Sequence, residues 1–181
     1  MTRIFIVSPT TGELRTAEEW KNEAGDKVAE AQYIVIVPDD GSSAFMIPKN
    51  HLGSFTWKEA VAAAEHFTFS AAEGEKPTLP SRKQWIDIRM ARECGLDQVL
   101  EMIGASKLRS ALNERWFWTR ELYIPAGTSA KDYVAWSASR YSANYAWIAS
   151  GYGFANGNYA ALCYSGLALP LLLYPFREAK N

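Results

Sequence analysis

The sequence predicts an α+β fold in a single domain, on three observations. Short β-rich runs alternate with amphipathic helical stretches through the first half. After Asn113 the helical periodicity fades, and aromatics alternate with Ser, Ala, Gly and Asn. Neither half is large enough to bury a core alone, so the 181 residues are expected to fold together, with no domain boundary between them.

Ile4–Val7 is a short apolar run ended by Ser8-Pro9, a first strand. Thr16 with Glu19 three residues on makes a capping box for a brief helix over 16–22. Tyr33–Val37 (Tyr-Ile-Val-Ile-Val) is a strong strand signal. Pro38-Asp39-Asp40-Gly41 follows as a turn, and Ser43–Ile47 returns as its hairpin partner. Thr56 and Glu59 cap a first main helix, whose Trp57, Ala60, Val61 and Ala64 share one face. A polar loop over 71–78 precedes Pro80-Ser81, where Ser81 and Gln84 cap the second main helix. Trp85, Ile88 and Arg92 lie on one side of it, Ile86 and Met90 beside them, and Gly95 ends it. Leu96, Val99, Leu100 and Ile103 form a third, short apolar face ended by Gly104.

Short strands are expected around Trp116–Trp118, Tyr133–Trp136, Tyr145–Ile148, Tyr152–Phe154, Ala160–Tyr164 and Leu167–Phe176. Gly151, Gly153, Gly157 and Gly166 are expected to supply the turns between them.

Composition excludes several functions. The formal net charge is -1, without a basic block, so nucleic acid is not an expected partner. The N-terminus lacks a signal-peptide pattern, and the apolar run Leu167–Tyr174 is too short to span a bilayer. Synthesis in the cytosol is expected, with no membrane insertion and with virion association as a route to the outside. Cys94 and Cys163 are too few for a disulfide framework. Two buried thiols are expected, a single bridge being the alternative.

The segment Trp136-Ser-Ala-Ser-Arg-Tyr-Ser-Ala-Asn-Tyr-Ala-Trp147 resembles the W-S-S-T-x-Y-x-x-x-Y-A-W stretch of bacterial and phage proteins with a C-type-lectin-like fold. That family includes the variable proteins of diversity-generating retroelements. The formylglycine-generating-enzyme type is a more distant branch. Leu79-Pro80-Ser81-Arg82-Lys83-Gln84-Trp85 resembles the L-P-x-x-x-x-W that opens the family's second helix, and Trp57-Lys58-Glu59-Ala60 the W-x-x-A of its first. Leu172–Phe176, ending Tyr-Pro-Phe, resembles its final strand. Phe117-Trp118-Thr119-Arg120 also resembles the Y-W-T-S start of the central motif. Trp136 is preferred as the match because the second Trp follows it at the family's distance.

The resemblance implies short twisted antiparallel strands packed with two main helices. Residues 51–176 would form the C-type-lectin-like core, and 1–50 an N-terminal β-hairpin region suited to assembly or attachment. Trp136 and Trp147 would be core residues fastening the segment between them, as indoles that stabilise by about 1.5–3 kcal/mol each when buried. The residues between them would face outward. The expected ligand-binding surface is Ser139, Tyr141, Ala143, Asn144 and Tyr145, continued by Ser150, Tyr152, Phe154, Asn156, Asn158 and Tyr159. Tyr, Ser, Gly and Asn suit such a surface. Tyr brings large contact area at small entropy cost, and Ser and Asn adaptable hydrogen bonds. The resemblance implies the same location, because variable residues of the retroelement proteins lie in this part of the fold.

The expected function is therefore ligand or receptor binding, with a protein or glycan ligand, in a phage-tail or surface-adhesin setting. A structural virion or assembly protein, buried in a homo-oligomer, is the first alternative. An enzyme of the formylglycine-generating-like superfamily is the second, and it requires a pocket near Cys163 or His51. That branch uses two C-terminal cysteines for copper, and only Cys163 lies in that region. His51 and His66 share no recognisable spacing with either cysteine, and no zinc set of three or four ligands exists. Calcium-lectin motifs are missing, and Asp39-Asp40-Gly41-Ser42 is expected to be a hairpin turn rather than a cation site. No cofactor, metal site or catalytic residue is expected.

Overall fold

The computed structural model describes residues 1–70, 76–123, 145–150 and 153–176, with the side chains of 153–158 excepted. Its described residues form five α-helices, a 3₁₀ turn and ten strands in two five-stranded sheets.

The first sheet is built largely from the N-terminal residues. Its strands are β1 (Arg3–Val7), β2 (Leu14–Arg15), β3 (Tyr33–Val37), β4 (Phe45–Pro48) and β10 (Leu172–Leu173), in the order β10-β4-β3-β1-β2, all antiparallel. The expected hairpin pairs Ile34 with Ile47 and Ile36 with Phe45. The N-terminal region thus shares its sheet with a strand from the C-terminal end of the described chain. Successive residues of its strands face opposite sides. Ile34, Ile36, Phe45 and Ile47 enter the main core, while Val35, Val37 and Met46 join a second cluster with Phe69 and Leu172. Burial on both faces is why Tyr33–Val37 reads as a continuous apolar run.

Five helices supply the packing layers. α1 (Ala17–Ala24), α2 (Trp57–His66) and α3 (Arg82–Glu93) each begin with the expected capping box, at Thr16/Glu19, Thr56/Glu59 and Ser81/Gln84. α4 (Leu96–Met102) starts directly after Gly95, whose φ of 105° lets one helix end and the next begin within two residues. α5 (Leu108–Glu114) has no counterpart among the expected elements. The main core joins Trp85, Ile88 and Ala91 of α3, Leu96 and Leu100 of α4 and Leu108 and Leu112 of α5 to the inner residues of the first sheet.

The second sheet has the order β5-β9-β6-β7-β8, with β5 (Ser54–Phe55), β6 (Phe117–Leu122), β7 (Tyr145–Ser150), β8 (Gly153–Ala161) and β9 (Gly166–Leu167). All its pairings are antiparallel except β6 with β9. Phe117 and Ala149 face the main core, while Trp118, Ala146, Ile148 and Ala160 pack under Ala60 and Ala64 of α2.

Three buried or half-buried indoles find backbone acceptors, as large polar-tipped rings usually do. Trp118 Nε1 donates to Phe55 O at 2.9 Å, Trp57 Nε1 to Thr119 O at 2.8 Å and Trp20 Nε1 to Val28 O at 3.0 Å. Trp116 Nε1 is buried without an acceptor among the described residues. It faces Gly166, where a Cβ would lie 2.5 Å from that nitrogen. Gly166 is therefore not the expected turn residue. It sits in β9 and is required by the close approach of an indole.

Two further expectations are corrected. Cys94 and Cys163 are free and exposed, not buried: Cys94 caps the C-terminus of α3, and Cys163 lies in the turn after β8. Gly157, also expected in a turn, lies within β8. The expected strand at 133–136 lies outside the described residues. No helix among the described residues is long and apolar enough to cross a membrane.

Candidate functional site

β6, β7 and β8 lie side by side and present aromatic rings on one face. Tyr145 and Trp147 are two residues apart on β7 and share a face. The residues between and after them, Ala146 and Ile148, pack toward α2. Trp147 pairs in register with Tyr159 of β8, and Tyr145 is its diagonal neighbour. Tyr123, just past β6, donates its backbone N–H to Tyr145 O at 2.9 Å.

The four rings contact one another. Tyr123 and Tyr159 stack at 4.1 Å between centroids with 11° between planes. Tyr123 meets Trp147 edge-on at 5.0 Å, and Tyr145 meets Tyr159 edge-on at 5.2 Å. Each such pair contributes about 0.5–1.5 kcal/mol beyond area burial. Tyr159 nevertheless keeps 46% of its surface exposed, while Tyr123, Tyr145 and Trp147 are half-buried.

α3 contributes a cation. Its N-terminus is tied to β6 twice: Arg120 N donates to Pro80 O at 3.0 Å, and Arg82 N donates to the Glu121 carboxylate. The tie holds the Arg82 guanidinium 3.8 Å from the centre of the Trp147 ring, within cation–π range. The surface so formed combines flat apolar faces, tyrosine hydroxyls and a guanidinium.

Of the expected binding residues, the structure brings Tyr145 and Tyr159 together in this cluster. Ser150, half-buried at the end of β7, alternates onto the strand face of Ala146 and Ile148 rather than that of Tyr145 and Trp147. Phe154, Asn156 and Asn158 belong to β8. The register runs from Trp147↔Tyr159 to Ala149↔Phe154, so residues 155–158 stand opposite the single residue Ile148. Asn156 and Asn158 thus lie in a stretch of backbone where the β7–β8 register shifts. Ser139, Tyr141, Ala143, Asn144 and Tyr152 lie outside the described residues, as does Trp136.

Trp147 corrects an expectation. It is not a core anchor but a half-buried member of the exposed aromatic cluster. The alternation of a strand accounts for this: once Tyr145 faces outward, Trp147 does too. Tyr123 and Arg82 were not expected at the site. Both come from sequence-distant elements, and only the pairing of β6 with β7 and the docking of α3 bring them there.

Other chemistry is sparse among the described residues. No group of three or more His, Cys, Asp or Glu side chains is placed to hold a metal ion. His66 ends α2 with Nδ1 2.7 Å from Ala62 O. His51 borders a cavity of about 90 Å³ lined by Ile47, Leu100, Leu108 and Leu169. Its Nδ1 accepts the Gly53 N–H at 3.0 Å, and burial holds its pKa below the ordinary imidazole value. Asp40 accepts from Ser42 within the hairpin turn and pairs with Lys83 at 2.7 Å.

The chain matches no protein-family model, no curated protein and no solved structure.

Proposed function

We propose that this protein binds a ligand or receptor, without chemistry, through the aromatic surface of β6, β7 and β8, on a C-type-lectin-like scaffold. The supporting observation is Tyr159, which contacts three other aromatic rings and still exposes 46% of its surface. A contiguous cluster of partly exposed rings is the kind of surface that marks an interaction site. Rigid aromatic rings offer contact area at small entropy cost, and the hydroxyls and guanidinium offer direction. A protein or glycan ligand fits this chemistry, and a phage-tail or surface-adhesin role follows from the resemblance of the second half to retroelement variable proteins.

The test is a screen of the full chain against immobilised glycans and displayed cell-surface proteins, with Tyr159→Ala and Trp147→Ala run in parallel. Binding by the parent chain that falls about tenfold or more in both variants supports the proposal. A ligand bound equally by parent and variants places the interaction elsewhere.

A further inference from the structure

We propose that the cleft between α3, α4 and α5 binds a phosphate monoester of a polar, hydroxylated body. The cleft has a volume of about 420 Å³ and is lined by Arg89, Arg92, Glu93, Asp97, Gln98, Arg109 and Asn113. A volume of that size matches small-molecule sites, which run from about 300 to 1,000 Å³. No apolar side chain is among its lining residues, so a greasy ligand gains nothing there. The cleft lies on the helical side of the molecule and shares no residue with the aromatic surface.

Its charges do not balance. Arg89 pairs with Glu93 at 3.5 Å, and Arg92 Nε donates to Asp97 Oδ2 at 3.1 Å. The Arg92 and Asp97 side chains are only 16% and 14% exposed, so this pair is fixed in place. Asp97 also accepts the Arg109 backbone N–H at 3.3 Å, which seats the first turn of α5 against it. The Arg109 guanidinium has neither an ion pair nor a hydrogen bond among the described residues. Three guanidinium groups therefore line one concavity with two carboxylates. Like charges gathered in a cleft repel unless an anion joins them. The missing partner is one anionic group beside Arg109.

The chemistry of that anion follows from the donors. A guanidinium presents a planar fork of N–H groups that matches the oxygens of phosphate bidentately. Gln98 and Asn113 line the remainder of the cleft. Their amides both donate and accept, which suits hydroxyl groups. One phosphate alone leaves most of the cavity unfilled, so a polar body is attached to it.

The full chain is titrated by calorimetry with glucose monophosphate, inorganic phosphate and glucose at low and moderate salt. The ester is expected to bind with Kd of about 0.1–1 mM, phosphate more weakly and glucose not measurably. Arg109→Ala is expected to weaken the ester by about tenfold or more, and Arg109→Lys by less, because a point charge replaces a fork. Asn113→Ala is expected to weaken the ester and leave phosphate unchanged. If Arg109→Ala unfolds, Arg109→Gln takes its place. No heat from either phosphate at about 10 mM, glucose binding as well as its ester, or an unaltered Kd in the Arg109 variant overturns the site. Equal affinity for phosphate and ester overturns the polar body.

Discussion

The ring of Tyr159 lies parallel to that of Tyr123, 4.1 Å away, although 36 positions of sequence and two strand pairings separate them. The stack bridges β8 to the end of β6 across the face of β7. It holds the Tyr159 ring in place and leaves 46% of that residue's surface exposed. A ring held by its neighbours and still partly exposed is preorganised, so little side-chain entropy remains to be lost when a partner lands on it.

Tyr159→Ala therefore separates binding from stability. The lost contacts are one stacked pair and two edge contacts at a half-exposed position, and about 1.5–2 kcal/mol of stability, the low end of their sum, is expected to go with them. For a chain of this size that lowers Tm by roughly 3–8 °C. Ligand captured in the screen described above is expected to fall about tenfold or more. A loss of Tm beyond about 8 °C means that the ring supports the sheet rather than a surface.

Local pattern made most of the fold legible. Three capping boxes marked three helices, and Tyr33–Val37 with its Pro-Asp-Asp-Gly turn marked the hairpin. α5 escaped because Leu108 and Leu112 are the only buried residues in a two-turn helix, and its N-cap Lys107 makes no side-chain capping bond. Of the proposed surface, Tyr145 and Tyr159 were legible, because their residue types carry the signal. Trp147 was misplaced although the signal was present: period-two alternation forces it to the same face as Tyr145. Arg82 and Tyr123 had no local signal. Their place depends on α3 docking against β6, which is long-range packing. The specific fold beyond α+β rests on the motif resemblance alone.

Gly166 carries a second prediction. A Cβ there would lie 2.5 Å from Trp116 Nε1 and 2.9 Å from Trp118 Nε1. Trp118 is fully buried and hydrogen-bonded to Phe55 O, so it has nowhere to move. Gly166→Ala is expected to cost about 1–3 kcal/mol through overpacking. Urea unfolding measures it, and a variant as stable as the parent shows that β9 shifts freely.

The two cysteines give a third. Both thiols are exposed, one at the end of α3 and one in the turn after β8. Each is expected to react with a disulfide reagent in the native state, to about two thiols per chain, without urea. Reaction of only one thiol, or of neither before unfolding, contradicts the exposed placement.

Lys83 carries the last prediction, because it ties the β3–β4 hairpin turn to α3. Its ammonium pairs with Asp40 at 2.7 Å on the turn and with Asp87 one helical turn further along α3. Asp40 lies on the surface, and its hydrogen bond to Lys83 depresses its pKa. Asp87 is the buried partner, with a side chain 7% exposed. Burial raises its pKa, against the opposing pull of Lys83. The two carboxylates therefore act in opposite directions. Asp40 contributes stability that is fully present above the ordinary carboxylate range and is lost as pH falls below that range toward its depressed native value. Asp87, with its native pKa above the unfolded value, loses stability as pH rises from the ordinary range through that higher value. Lys83→Ala removes the counter-charge from Asp87, so the native pKa of Asp87 climbs further. At pH 7 the variant is expected to be about 1–3 kcal/mol less stable, a figure reduced from that of a fully buried pair because Lys83 is half-exposed. The deficit is expected to shrink toward about pH 4 as Asp87 takes up its proton. Asp40→Asn, which leaves Lys83 on Asp87, is expected to cost less than Lys83→Ala at pH 7. Urea midpoints of the parent and both variants at the two pH values decide it: a Lys83→Ala deficit that stays constant means that the lysine acts through its alkyl stem and not its charge.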